Sequence, residues 1–158
     1  MRYHIKQKTA YTIFMLMLLV LSGCAQVKLI ADYDKDVLAD TFDLAKRVDL
    51  FWANYIEATG EDRKYDTVKQ EIIGIEVDIN SLLLKNEARD ENKQTIAQVE
   101  NVKDVWGRTA GLIKSQGSIS NTSAKATRLQ MSDAIKYIII GDKAKNISSN
   151  TTNEGDAQ

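Results

Sequence analysis

The stretch that decides the fold is residues 34–58, DKDVLADTFDLAKRVDLFWANYIEA. Apolar side chains, together with one threonine, recur in it at alternating steps of four and three residues: Val37, Thr41, Leu44, Val48, Phe51 and Tyr55. This spacing places side chains on one face of an α-helix. Leu38, Ala45, Trp52 and Ile56 widen the same face. The pattern predicts an amphipathic helix with one buried side.

The same repeat returns in three later segments, which are separated by short polar breaks. The later stripes are Tyr65, Val68, Ile72, Ile75, Ile79 and Leu82; then Ile96, Val99, Val102, Trp106, Ala110 and Ile113; then Ala124, Thr127, Met131, Ile135 and Ile138. We expect the third helix to end at a left-handed Gly117 and the fourth to stop at Gly141. The chain has no proline to interrupt helices. Short loops between four helices predict an all-α, up-down antiparallel four-helix bundle, with three helices plus a docked fourth as the alternative.

The amino terminus carries a separate signal. Arg2, Lys6 and Lys8 precede a short apolar run over residues 13–21, and Leu21-Ser22-Gly23-Cys24 resembles the lipobox of bacterial lipoproteins. The apolar run is short for a spanning helix, which needs about 20 residues. An uncleaved membrane helix is the alternative. The resemblance implies a signal peptide over 1–23 and a diacylated Cys24 as the mature N-terminus.

These signals divide the chain into four parts. The signal peptide is followed by a lipidated tether over 24–33, a bundle domain over 34–145 and a polar, disordered tail over 146–158. Lipid on Cys24 would hold the protein on a membrane that it does not cross. Ala25 and Gln26 follow the cysteine, and by resemblance to sorting rules in enteric bacteria the absence of Asp there implies the periplasmic side of the outer membrane.

Composition limits the chemistry of the mature chain. Without residues 1–23, 18 Lys and Arg remain against 22 Asp and Glu, which gives a net charge of −4. A nucleic-acid-binding protein is expected to carry excess positive charge, and this chain does not. The only histidine, His4, lies in the leader, and the only cysteine is Cys24. Disulfides, Cys or His nucleophile systems and His or Cys metal sites are therefore excluded. We expect no catalytic residue, no metal and no cofactor.

Further motifs resemble those of a group of small Gram-negative lipoproteins. They are the Tyr33-Asp34 opening, the aromatic pair Phe51-Trp52, the connection from Gly60 to Tyr65, and a final Ile-rich helix that ends in Lys. The resemblance implies a lipoprotein with a helical bundle, and it implies no activity.

The acidic opening Asp32-Tyr33-Asp34-Lys35-Asp36 has the alternating carboxylates of a calcium loop. The sixth position of such a loop should be glycine, yet it is Val37, and the twelfth should be Glu, yet it is Asp43. We interpret the acidic residues as the N-cap and first turn of the first helix.

Two features of the later helices are candidates for binding. The aromatic residues Trp52, Trp106, Tyr55, Tyr65 and Tyr137 suit either a core or a ligand pocket. Gly107 and Gly111 form a small stripe that suits either packing against Trp52 or Tyr55, or an association face. Ile138, Ile139 and Ile140 are consecutive, so their side chains lie on different sides of the helix and cannot all belong to one core face. Gly107, Gly111, Ile139 and Ile140 are therefore the predicted contact face, for a protein partner or a second copy.

Two classes of function follow. The first is a non-enzymatic interaction or structural lipoprotein, which needs no catalytic group. The second is a periplasmic ligand-binding domain, or a cell-wall-acting domain that relies on paired carboxylates. A carboxylate pair pointing into a cleft would favour the second class, and a fully apolar interior would favour the first.

Overall fold

A computed structural model describes residues 31–155, with side chains described for 31–147. It contains four α-helices: α1 (Lys35–Glu57), α2 (Tyr65–Glu87), α3 (Lys93–Gln116) and α4 (Asn121–Gly155). A short 3-10 helix, Gly60–Arg63, joins α1 to α2. No strand occurs within the described part. The predicted antiparallel four-helix bundle is confirmed, whereas the notional leader, Cys24 and the start of the tether lie outside the described residues.

The helices form a closed square. α1 packs against α2 and α4, and α3 packs against the same two helices, so α2 and α4 occupy diagonal corners. The predicted stripes of α1 and α4 are buried throughout. The stripes of α2 and α3 are buried at their centres and half-buried at Tyr65, Val68, Ile96 and Ala110. The 3.6-residue repeat therefore predicted the core, including Phe51, Ile75 and Trp106.

Local signals set two of the helix ends as predicted, the start of α1 and the end of α3. The Asp34 carboxylate accepts hydrogen bonds from the backbone N–H groups of Asp36 (2.9 Å) and Val37 (3.2 Å), which caps α1. α3 ends at Gly117, whose φ of 77° lies in the left-handed region that favours glycine. Both expectations are confirmed.

The end of α4 differs from the prediction. Gly141 does not stop the helix, and the segment from residue 146, predicted as a disordered tail, is helical as far as Gly155. Asp142 and Lys145 continue the buried stripe past the glycine and attach this turn to α3. A single glycine costs a helix about 1 kcal/mol, which such contacts outweigh. Residues 156–158 lie outside the described range.

Candidate functional site

A cluster of buried polar side chains lies at the end of the bundle where α1 begins and α4 continues outward. The Lys145 ammonium donates to Asp142 Oδ1 (2.8 Å), Asn92 Oδ1 (2.9 Å) and Thr95 Oγ1 (2.7 Å). Asn92 Nδ2 in turn donates to the side-chain oxygen of Asn86 at 2.8 Å. The cluster therefore connects α4 to the start of α3 and the end of α2.

This cluster is a structural contact between helices, because its polar groups bind one another. All three donors of the Lys145 ammonium are used, and Asp142 is completely buried. Asp142 Oδ2 has no hydrogen-bond partner among the described residues. A buried ion pair adds little net stability, because the cost of desolvating both charges offsets much of their attraction. The hydrogen bonds from Lys145 to Asn92 and Thr95 thus join α4 to the start of α3.

The opposite end of the bundle is closed by an aromatic and a cation. The Tyr55 hydroxyl accepts from the Ile119 backbone N–H at 2.9 Å. The Arg63 guanidinium lies 4.7 Å from the centre of the Tyr55 ring and donates to the Ile119 carbonyl at 2.6 Å. The 3-10 helix and the α3–α4 loop are therefore fastened to the end of α1.

The central aromatic residues belong to the core. Phe51, Trp52, Tyr55 and Trp106 are buried and pack together, with the Phe51 and Trp106 ring centres 5.3 Å apart in edge-to-face geometry. The Trp106 indole N–H donates to the Ile72 carbonyl at 3.3 Å. The interpretation of Trp52, Tyr55 and Trp106 as core residues is therefore confirmed, and Trp106 also borders the groove between α2 and α3. Tyr137 is exposed on the surface of α4.

The acidic opening behaves as a helix cap. Partial burial raises the pKa of Asp34, but hydrogen bonds from Val37 and Asp36 and the charges of Arg89 and Lys85 outweigh it. The pKa of this carboxyl therefore lies below its ordinary value. Among the residues that the structure describes, no group of three or more His, Cys, Asp or Glu side chains is placed to hold a metal ion.

The predicted contact face is split between two sides of the molecule. Gly107 lies in the groove between α2 and α3, whereas Ile139 lines the groove between α1 and α4. Gly107 and Gly111 are exposed, and a Cβ added at either would meet no atom within 4 Å. Packing of these glycines against Trp52 or Tyr55 is therefore wrong. Ile140 is exposed and Ile139 is half-buried, so the four residues do not form one continuous face.

The groove between α1 and α4, which we call the α1–α4 groove, is the more apolar of these two surfaces. Its volume is about 330 Å³, and its floor is formed by Phe42, Ala45, Val48, Ile135 and Ile139. A shallower continuation toward the other end of the bundle adds Ile56, Lys125 and Leu129.

Cations border the α1–α4 groove along α4. Arg128 crosses it and forms a two-point ion pair with Asp49, at 2.7 and 3.0 Å, which raises the pKa of the guanidinium. The Lys143 ammonium lies 5.6 Å from the centre of the Phe42 ring. Lys125 and Lys136 also line the groove and form no ion pair with any residue of the described range. The groove thus presents an apolar floor with a positive edge.

A second apolar surface lies on the outer side of α2. Ile73, Val77 and Leu84 share one helix face and are 45, 60 and 65 % exposed. We call this face the α2 stripe. Glu76 and Glu87 border it on the side of α3, and both are exposed. Sequence reasoning missed this stripe because the stronger core periodicity of α2 concealed it.

Charge is divided between the two halves of the bundle. α1 and α2 together carry ten Asp and Glu against five Lys and Arg, whereas residues 93–116 and 121–147 carry nine Lys and Arg against four Asp and Glu. α2, at net −3, and α4 over 121–147, at net +3, are the extremes. Because α2 and α4 are diagonal, the molecule has an acidic side and a basic side.

The chain matches no protein-family model, no curated protein and no solved structure. Over residues 31–155, no helix is both long enough and apolar enough to cross a membrane. The predicted signal peptide and Cys24, the predicted lipid acceptor, lie outside the described residues.

Proposed function

We propose that this protein is a lipid-anchored bacterial lipoprotein whose helical bundle acts by binding protein and not by catalysis. The observation that carries the second part is the α1–α4 groove: an apolar floor edged by Lys125 and Lys136, which form no ion pair within the described residues. Exposed apolar surface of this kind is typical of protein-binding sites. The buried polar groups at Lys145, by contrast, are engaged with one another.

The anchor part of the proposal is supported by the Leu21–Cys24 motif and by the way in which the chain enters the bundle. The Ala31 backbone N–H donates to the Glu91 carbonyl at 3.1 Å, and Arg89 donates to the Asp32 carbonyl. These contacts fasten the segment before α1 to the α2–α3 loop. The six residues 25–30 reach at most about 20 Å from Cys24. The end of the bundle that carries the Lys145 cluster would then lie nearest the lipid, on the periplasmic side of the outer membrane.

The carboxylate-based alternative finds its nearest match between α1 and α2. Asp40, Asp43 and Asp78 line a groove there, but Lys85 binds Asp40 and Arg47 binds Asp78 in exposed ion pairs. A glycosidase needs one carboxyl in surroundings that keep it protonated near neutral pH. This groove offers no such apolar enclosure, so we do not propose a hydrolase.

The anchor is tested by metabolic labelling with a fatty-acid analogue, followed by carbonate washing of membranes. Wild-type protein should carry the label and stay with the membranes, and Cys24→Ser should lose both properties. Ser22→Ala, which keeps a small residue and the cysteine, is the matched control. Membrane retention of an unlabelled Cys24→Ser protein would contradict the anchor. Density-gradient separation of the two membranes tests the outer-membrane assignment, and recovery with the inner membrane would overturn it.

A further inference from the structure

We propose that the partner of the bundle is a second copy of this chain, bound head to tail, with the α2 stripe of one copy in the α1–α4 groove of the next. This inference rests on the proposed protein-binding function and names its partner. The two surfaces lie on opposite sides of one molecule, because α2 and α4 occupy diagonal corners of the bundle.

The shapes of the two surfaces correspond. A helix docks in a groove through apolar side chains at positions that share one face of the helix. The α2 stripe places Ile73, Val77 and Leu84 at such positions, and each is about half exposed or more. The groove and its continuation run from Phe42 to Ile56 along α1. At 1.5 Å per residue this is roughly 20 Å, which is long enough to seat three turns of a helix.

Charge supplies the argument for self-recognition. The α2 stripe belongs to the most acidic helix, and its bordering Glu76 and Glu87 form no ion pair within the described residues. The groove is bordered by Lys125 and Lys136, which are equally without a carboxylate partner there. Docking one surface on the other would pair these charges around an apolar centre. Such complementarity specifies the partner and its orientation.

The arrangement has a consequence for assembly. Because the two contacting surfaces differ, each docked copy still presents a free stripe and a free groove, and the contact propagates into a row. Attachment to a membrane would concentrate the copies in one layer and favour a weak contact. The exposed Gly107 lies between α2 and α3, beside the stripe, and leaves open space for the neighbouring copy.

Disulfide crosslinking of the full-length protein in intact cells tests this geometry. Val77→Cys places a thiol in the stripe and Ser132→Cys places one in the groove. Neither variant alone should form a dimer, because like surfaces do not meet. Co-expression of the two variants should give a single dimer band, and the double variant should give a ladder. Leu50→Cys, which is exposed on α1 outside both surfaces, is the control and should not crosslink.

A charge exchange supplies the second measurement. Lys136→Glu and Glu76→Lys should each reduce the ladder of the double-cysteine protein by about two- to fivefold, as expected for one exposed ion pair. Combining them should restore the ladder, a result that loss of folding cannot produce. Dimers from either cysteine alone would overturn the head-to-tail contact in favour of a symmetric one.

Two other outcomes separate this inference from the proposed function. Absence of crosslinks in every variant of a membrane-bound protein would overturn self-association. Adducts of Ser132→Cys with a different protein would also overturn it, yet would leave the protein-binding function standing. Loss of the protein from membranes would instead count against the anchor.

Discussion

The Lys145 ammonium lies 2.8 Å from the Asp142 carboxylate, one helical turn earlier, and neither side chain is more than one-tenth exposed. This pair sits where α4 passes the glycine that would otherwise end it, and Asn92 and Thr95 of the α3 end complete its hydrogen bonds. The turn of α4 that follows Gly141 is therefore attached to the start of α3 by hydrogen bonds from Lys145.

The first prediction concerns this pair. Lys145→Met should destabilise the protein by about 3 to 5 kcal/mol, because it leaves the Asp142 charge buried without its partner. The double variant Asp142→Leu/Lys145→Met should recover most of that loss, since no isolated charge remains. Urea denaturation of the three proteins measures the free energies of unfolding. Equal losses in the single and double variants would show that the pair is not the source of the effect.

The second prediction concerns the far end of α4. Ending the chain after Ile147 should leave the melting temperature nearly unchanged, because Lys145 and its partners stay in place. Ending it after Gly141 removes Asp142 and Lys145 and should lower the melting temperature by several degrees, at about 4 °C per kcal/mol for a domain of this size. Thermal unfolding followed by circular dichroism compares the two truncations. A large effect of the shorter truncation would place the stabilising contacts beyond residue 147.

The fourth helix shows what a sequence can and cannot reveal about this fold. Met131, Ile135 and Ile138 predicted its buried face correctly, because apolar burial follows helical spacing. The same spacing continues to Asp142 and Lys145. Because these side chains are charged, the sequence pattern predicts that the buried face ends before them. Asn92 and Thr95, at the start of α3, accept hydrogen bonds from Lys145 and so reduce the cost of burying its charge. Contacts between residues so far apart in the chain produce no pattern in the local sequence.

The predicted contact residues show the same limit. Gly107 and Ile139 each departed from the expected core pattern, and both lie in surface grooves. The sequence could not show that the grooves face opposite ways, because this depends on which helices are diagonal. The α2 stripe was missed for a related reason: Ile73 and Leu84 stand beside core positions and extend the apolar run without marking a second face.

The third prediction concerns the helical glycines of α3. Gly107→Ala and Gly111→Ala should each stabilise the protein by about 0.5 to 1 kcal/mol, because alanine lowers the entropic cost of the helix and its Cβ meets no atom within 4 Å. Ala110→Gly, in the same helix, should have the opposite sign. Chemical denaturation measures all three changes. Destabilisation by both alanines would mean that the glycines pack closely against a neighbour.

The fourth prediction concerns the cap of α1. Asp34→Ala should cost about 1 kcal/mol at neutral pH. Because folding lowers the pKa of Asp34, its contribution is present above the ordinary carboxyl range and is lost as the pH falls below about 4. Wild type and Asp34→Ala should therefore converge in stability near pH 2. Asp34→Asn keeps a capping oxygen and should remove this pH dependence, and a difference between wild type and Asp34→Ala that stayed constant with pH would contradict the ionised cap.

The central claim is that this bundle works by protein contact through the α1–α4 groove. Its most direct test is a photo-crosslinking amino acid placed at Leu129 in intact cells, compared with the same group at Leu50. Both side chains are exposed, at 68 and 57 %, and only Leu129 lines the groove. We predict an adduct at twice the mass of the chain from position 129 and none from position 50. The same yield from both positions, or no protein adduct from 129, would contradict the account.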